Sequence, residues 1–268
     1  MKRILAIILA GLMLLSLAAC GGKDGKEVGG ILGDNGFSAT TLKHDNEKHP
    51  NLKNNAESKY YSNISAAIMD LKSGNIGVLG CEKTTAEYIV SHNDGFEFKS
   101  IDRLTNFSMM TMASNKEVYD IINNAIVEMK ADGTLDSLIE NELKAYIESD
   151  PVAKDLPHFD DAKTIKVGVT GDVPPMDFVA ANGKAAGFNI ALLTEIANRA
   201  QVNFELVQIE TGARAMALSS GKVDAVFWTK SITCTECNET WGEEIQGTLV
   251  TESYFSDNIA VVTPKSDK

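Results

Sequence analysis

The chain has 268 residues, of which 44% are hydrophobic and 23% charged, enough apolar material for one large or two small domains with buried cores. Its formal net charge of -12, with no basic stripe, argues against a nucleic-acid partner, because phosphate binding draws on clustered Lys and Arg. An acidic surface of this kind serves solubility.

At the start, Lys2 and Arg3 precede an apolar run from Ile4 to Leu17 and small residues before Cys20. That run falls short of the ~20 apolar residues of a membrane span, so residues 1–19 read as an export signal. Residues 20–36, rich in Gly and charge, are expected to be a flexible tether. Between Phe37 and Tyr60, His44, Asp45, Glu47 and His49 stand among Asn and Lys without a recurring ligand spacing. No metal site is assigned there.

Ile64, Ala67, Ile68 and Leu71 then mark one helical face, followed by "IGVL" as a short buried strand. Leu71, Ser73, Gly74 and Ile76 are matched at the same spacing by Leu218, Ser220, Gly221 and Val223. Both halves therefore carry a helix–turn–strand unit, which two similar α/β lobes explain economically. Val118, Ile121, Ile122, Ala125 and Met129 form a helical stripe, Gly133 suits a left-handed helix end, and Thr134 is placed to cap a second helix. Leu135, Leu138, Ile139 and Leu143 continue the buried face. A polar, Pro-bearing segment from Ile147 to Ala162 follows as a linker.

From Thr164 the pattern is strand, turn-rich loop, helix. Ile165, Val167 and Val169 alternate as in a half-buried strand. Gly171, Pro174, Pro175, Asn182 and Gly183 punctuate the loop, and Leu192, Leu193, Ile196, Ala197 and Ala200 recur at helical spacing. "VNFELVQI", "ARAMALSSG" and "KVDAVFW" add strand, helix and strand. Strands separated by helices imply a parallel sheet, whose ligands sit beyond the carboxyl ends of the strands. That rule places Gly171 to Phe178 and Trp228 to Cys237 at one mouth.

The strings "IKVGVTGDVPPMDFVAANGKAAGFNIALLTEIANRA", "ALSSGKVDAVFWTKSIT" and "ESYFSDNIAVVTPK" resemble the type 2 periplasmic solute-binding proteins that serve ABC importers of amino acids. "LKSGNIGVLGCEKTTAEYI", "FSMMTMAS" and "MKADGTLDSLI" resemble that family's second lobe, return hinge strand and closing helices. "LAAC" resembles a lipoprotein cleavage box, which implies a lipidated Cys20 and an anchor on the outer face of the membrane. The resemblance implies a two-lobed α/β fold. Its parts are a second lobe over 37–105, a return hinge strand with closing helices over 106–147, a linker over 148–162, and the first lobe with its outgoing hinge strand over 163–268. Family members carry the return strand and closing helices last, so the order here reads as a circular permutation, which chain ends in exposed loops tolerate. The second lobe is incomplete unless residues 37–58 replace the family's opening strand and helix. An incomplete lobe would expose a sheet edge, to be covered by self-association or by a partner chain.

The resemblance also implies a function: capture of a small polar solute, an amino acid or amine, between lobes for a membrane permease, without cofactor or catalysis. Asp172 and Phe178 border the expected cleft, with Phe178 as a stacking wall. Trp228 and Thr229 follow a strand end. Glu82 takes the place of the acid that receives the solute's amino group. After Thr233 the family's amino-acid binders carry an Arg that grips a carboxylate, whereas this chain has Cys234, Thr235, Glu236 and Cys237. Arg214 is the substitute cation, and Glu82 with Glu236 would suit a cationic ligand. Cys234 and Cys237 leave three readings open: a local disulfide, half of a metal site, or a redox pair. A sensor or assembly subunit that kept the fold is the alternative function. A dehydratase-like role would need Glu82 as a general acid, but no phosphate loop, nucleophile elbow or zinc helix motif occurs.

Overall fold

The computed structural model describes residues 28–33, 43, 47, 57–234, 237–243 and 245–265. The expected export signal, the lipidation site Cys20 and Glu236 lie outside the described residues. Among the described residues no helix is long and apolar enough to cross a membrane.

In chain order the elements begin with β1 (Val28–Leu32), β2 (Glu57–Tyr61), α1 (Ile64–Lys72), β3 (Val78–Glu82), α2 (Lys83–Ser91) and the long strand β4 (Phe96–Met112). Helices α3 (Lys116–Asp132) and α4 (Thr134–Leu138) follow, then β5 (Thr164–Val169), β6 (Asp172–Val173), β7 (Asp177–Val179) and β8 (Ala185–Ala186). The chain continues with α5 (Phe188–Ala200), β9 (Asn203–Gln208), α6 (Arg214–Ser219), β10 (Ala225–Cys234), β11 (Glu239–Gly242), β12 (Thr248–Val250) and β13 (Phe255–Pro264). The class is α/β, as expected. The chain divides into two compact units, one comprising residues up to Thr105 with 232–240 and 257–268, the other 106–231 with 241–256. Residues 232–240 and 257–268, expected with the first lobe, thus belong with the N-terminal unit.

In the N-terminal unit β1 lies between β2 and β3, parallel to both, and β13 runs antiparallel to β3. This corrects the tether reading over part of its length, because Val28–Leu32 is an internal strand. Its glycines serve close packing: a Cβ on Gly30 would lie 2.5 Å from Ile76 Cδ1. Composition alone could not separate a flexible glycine from a tightly packed one. Helix α1 buries Ile64, Ala67 and Leu71, and Asn63 caps it through Oδ1, which accepts from the Ala66 N–H at 3.0 Å.

The second unit has β10, β5 and β9 as parallel neighbours, with β12 antiparallel to the end of β4. Its core joins Ile165, Val167 and Val169 of β5 to Phe188, Leu192, Leu193 and Ile196 of α5. Val118, Ile122, Ala125, Ile126 and Met129 of α3 complete it, so the helices before the linker pack in one core with the strands after it. Gly133 ends α3 in the left-handed region at φ 79°. Thr134 does not cap α4. Asp132 Oδ1 accepts from the Thr134 N–H at 2.9 Å, and the Thr134 hydroxyl instead accepts from Arg199 Nη2 at 2.9 Å. The linker is docked at several points: Ala153 bridges Ala186, Lys184 Nζ pairs with Asp155 at 2.7 Å, and the Asn203 side chain accepts from the Phe159 N–H at 2.8 Å and donates to its carbonyl at 2.9 Å.

Candidate functional site

In the second unit the carboxyl end of β5 is tied to the middle of β10 by Asp177, which the sequence reading passed over. Its buried carboxylate accepts from the Thr170 N–H at 2.8 Å, the Thr170 hydroxyl at 3.1 Å, the Gly171 N–H at 3.0 Å and Trp228 Nε1 at 3.4 Å. Burial pushes its carboxyl pKa up while these donors pull it back. The string "PPMDF" held a signal for it: an acid beside a turn can fold back onto strand-end amides. Gly171 makes the turn possible. It sits at φ 78°, and a Cβ there would meet Val179 Cγ2 at 2.8 Å.

Asp172, the next residue, is treated differently. Its β6 strand pairs with β7 so that Asp172 faces Phe178 in register. Phe178 is half-buried. The Asp172 Oδ1 atom is buried without a hydrogen-bond partner. Burial, opposed by a Thr170 hydrogen bond and reinforced by the charges of Asp177 and Glu210, raises this carboxyl to about 6.

Trp228 is buried and adopts φ 68°, a rare state for a bulky residue. Its ring meets Phe107 edge-on with centroids 5.7 Å apart. Arg214 holds this backbone in place. Nη1 donates to the Phe227 carbonyl at 3.2 Å and to the Trp228 carbonyl, Nε donates to the Thr211 carbonyl at 3.0 Å, and Nη2 pairs with Glu243 at 2.8 Å. The guanidinium is thereby committed to the protein itself. Its expected place as a substitute carboxylate grip is not supported by this geometry, because four of its contacts are internal. Thr229, only 3% exposed, keeps its hydroxyl without a hydrogen-bond partner.

Two expected residues belong to the N-terminal unit. Glu82 is the last residue of β3 and takes the N-cap position of α2 without a side-chain cap bond. The cap comes from Asp257, whose Oδ2 accepts from the Thr84 N–H at 2.7 Å. Burial raises the Asp257 carboxyl, and the Glu82 charge adds to the rise. Thr233 in β10 shares a hydroxyl contact of 3.2 Å with Thr240. Cys234 and Cys237 are thiols in hydrogen-bond contact, not a disulfide. Among the described residues no group of three or more His, Cys, Asp or Glu side chains is arranged to hold a metal ion.

Residues 165–268 match the sequence model of the bacterial extracellular solute-binding proteins, family 3. Over 85 residues the chain is 32% identical to the probable ABC transporter arginine-binding protein ArtJ of Chlamydia trachomatis serovar D, a stretch covering 30% of this chain and 33% of that protein. The chain thus spans about a third of the length of this curated relative. Among solved structures, the GluR0 ligand-binding core with L-glutamate is 13% identical at a TM-score of 0.41, covering 90% of this chain and 85% of the other. The zinc-bound ligand-binding component of an ABC-type import system from Staphylococcus aureus is 8% identical at a TM-score of 0.43, covering 89% and 65%.

Proposed function

We propose, from the match of residues 165–268 to the sequence model of the bacterial extracellular solute-binding proteins, family 3, that this chain is the extracytoplasmic solute-binding component of an ABC importer. Its solute in this reading is a small amine-bearing compound of the amino-acid class, and Cys20 ties the protein to the membrane near its permease. The work is binding, not chemistry.

The observation that carries the choice of solute is Asp172, whose Oδ1 is buried without a partner beside two further acids. An orphaned buried acceptor costs about 1–3 kcal/mol, and a guanidinium or ammonium group would satisfy it through a charge-assisted bond. The relative that matches over 85 residues is a probable arginine-binding protein, which agrees with this chemistry. No Arg occupies positions 234–237, and Arg214 is engaged internally, so the site lacks an evident grip for an isolated anion.

Thermal unfolding with arginine, lysine, putrescine, glutamine and glutamate tests the proposal. A solute at a hundred times its dissociation constant adds about 2.7 kcal/mol, a shift of several degrees for a domain of this size. The expected result is a shift with one or more of the cationic compounds and none with glutamate. A shift with glutamate alone would overturn the solute class, and no shift with any compound would overturn the binding role.

A further inference from the structure

The hairpin β10–β11 carries chemistry that the solute site does not use. Cys234 closes β10, Glu239 opens β11, and the two strands pair. Thr233 and Thr240 touch across it through their hydroxyls. Asn238, just before β11, is in the left-handed region at φ 53°. Cys234 and Cys237 therefore stand three positions apart at the hairpin end, with their side chains in hydrogen-bond contact.

The two sulfurs are not equally accessible. Cys234 is buried and Cys237 is partly exposed. We infer that Cys234 and Cys237 form a dithiol–disulfide couple that staples the β10–β11 hairpin, with Cys237 as the entry thiol and Cys234 as the resolving thiol. The co-reactant is a small-molecule disulfide. The Cys237 thiolate attacks one sulfur of it and expels a thiolate, leaving a mixed disulfide on Cys237. The Cys234 thiolate then attacks the Cys237 sulfur, forms the internal bond and expels the second thiolate. Two protons pass from the protein thiols to the two leaving groups, so the protein loses two hydrogens and the disulfide is reduced to two thiols. Burial and the hydrogen bond with Cys234 push the Cys237 thiol up. In this it differs from the low-pKa thiols of disulfide oxidoreductases. Cys81 is buried inside β3, opposite Ala260 of β13.

The inference does not rest on the solute reading. Its test is incubation of the full chain with oxidised glutathione, followed by alkylation and peptide mapping. The expected product is one peptide linking Cys234 to Cys237, lighter by two hydrogens, resistant to alkylation and carrying no glutathione. Cys234→Ser is expected to hold one glutathione on Cys237, whereas Cys237→Ser stays unmodified at Cys234. If both thiols of the untreated-sequence chain still alkylate after oxidation, or if either pairs with Cys81 or with another molecule, the couple is overturned. Equal glutathione uptake by the two variants overturns the assigned order. Time-resolved alkylation of the reduced, unsubstituted chain gives an independent reading: Cys237 is expected to react before Cys234, and the reverse order refutes the assignment even if a variant does not fold.

Discussion

The two helix–turn–strand units of this chain share a turn and diverge at the strand that follows. Ser73 and Ser220 both end their helices at φ -83°. Gly74 and Gly221 follow at φ 72° and 71°, and Ile76 and Val223 are buried behind them. Even the exposed side chains correspond, with Met69 at 69% and Met216 at 73% exposure. Carried forward at the same offset, Glu82 falls on the position of Thr229, and both are buried in a strand. Yet β3 stops at Glu82 and passes directly into α2, whereas β10 continues through Trp228 and Thr229 to Cys234. One turn geometry thus delivers two different strand ends. The difference lies in what pins each end: Asp257, 173 positions away, for Thr84, and the nearby Asp177 with Arg214 for Thr170 and Trp228.

Removing the second of these anchors is expected to have the largest effect. Asp177→Ala leaves buried amide and indole donors without an acceptor, a loss of about 4 kcal/mol at roughly 1 kcal/mol or more per orphaned group. Urea unfolding would measure it, and a loss under 1 kcal/mol would show that Asp177 does not organise this end.

Arg214→Leu comes next, because it strands the Glu243 carboxylate and frees Trp228 from its left-handed backbone. Breaking a buried pair costs about 3 kcal/mol. If stability is unchanged while solute affinity falls, Arg214 would be a solute residue and not a backbone clamp.

The shared turns give a smaller, paired prediction. Gly74→Ala and Gly221→Ala meet open space, so each is expected to cost only the left-handed penalty, about 1 kcal/mol. Equal losses in thermal or urea unfolding would support the equivalence of the two units, and a loss at one site alone would break it.

The smallest effect has the opposite sign. The folded Asp172 carboxyl, raised to about 6, stays protonated where the unfolded one ionises. The unfolded state therefore binds fewer protons between pH ~4 and ~6, and stability falls as pH rises through that window. Asp172→Asn is expected to be more stable at pH 7 by up to about 1 kcal/mol, after allowance for solvent screening of a half-exposed group, and equal to the unsubstituted chain below pH ~4. The same variant should bind a cationic solute less tightly. Unfolding curves across pH and solute titrations read the two effects separately.

Periodicity made much of the fold legible. The alternation of Ile165, Val167 and Val169 and the helical stripes of α3 and α5 describe faces that must be buried somewhere, and in the structure they meet in one core. Of the site, Asp172 pairs with Phe178 between short strands, whereas Trp228 and Thr229, expected just past a strand end, are interior to β10, which runs on to Cys234. Asp177 escaped notice because an acid between Met176 and Phe178 has no periodic signature. Its role comes from four donors that converge only after the loop folds. Val28–Leu32 escaped because its glycines match a linker's composition until β2 and β3 close around them.

The sequence by itself determined the periodic strands and helices, the repeated turn and the family likeness of residues 165–268, since each depends on spacing along the chain. Tertiary structure alone decided which polar groups are partnered. It enclosed Asp177 among donors, left Asp172 Oδ1 without one, turned Arg214 inward and brought the Cys234 and Cys237 side chains together. Hydrogen bonding and desolvation depend on distances between residues remote in sequence, and those distances exist only once the chain has folded.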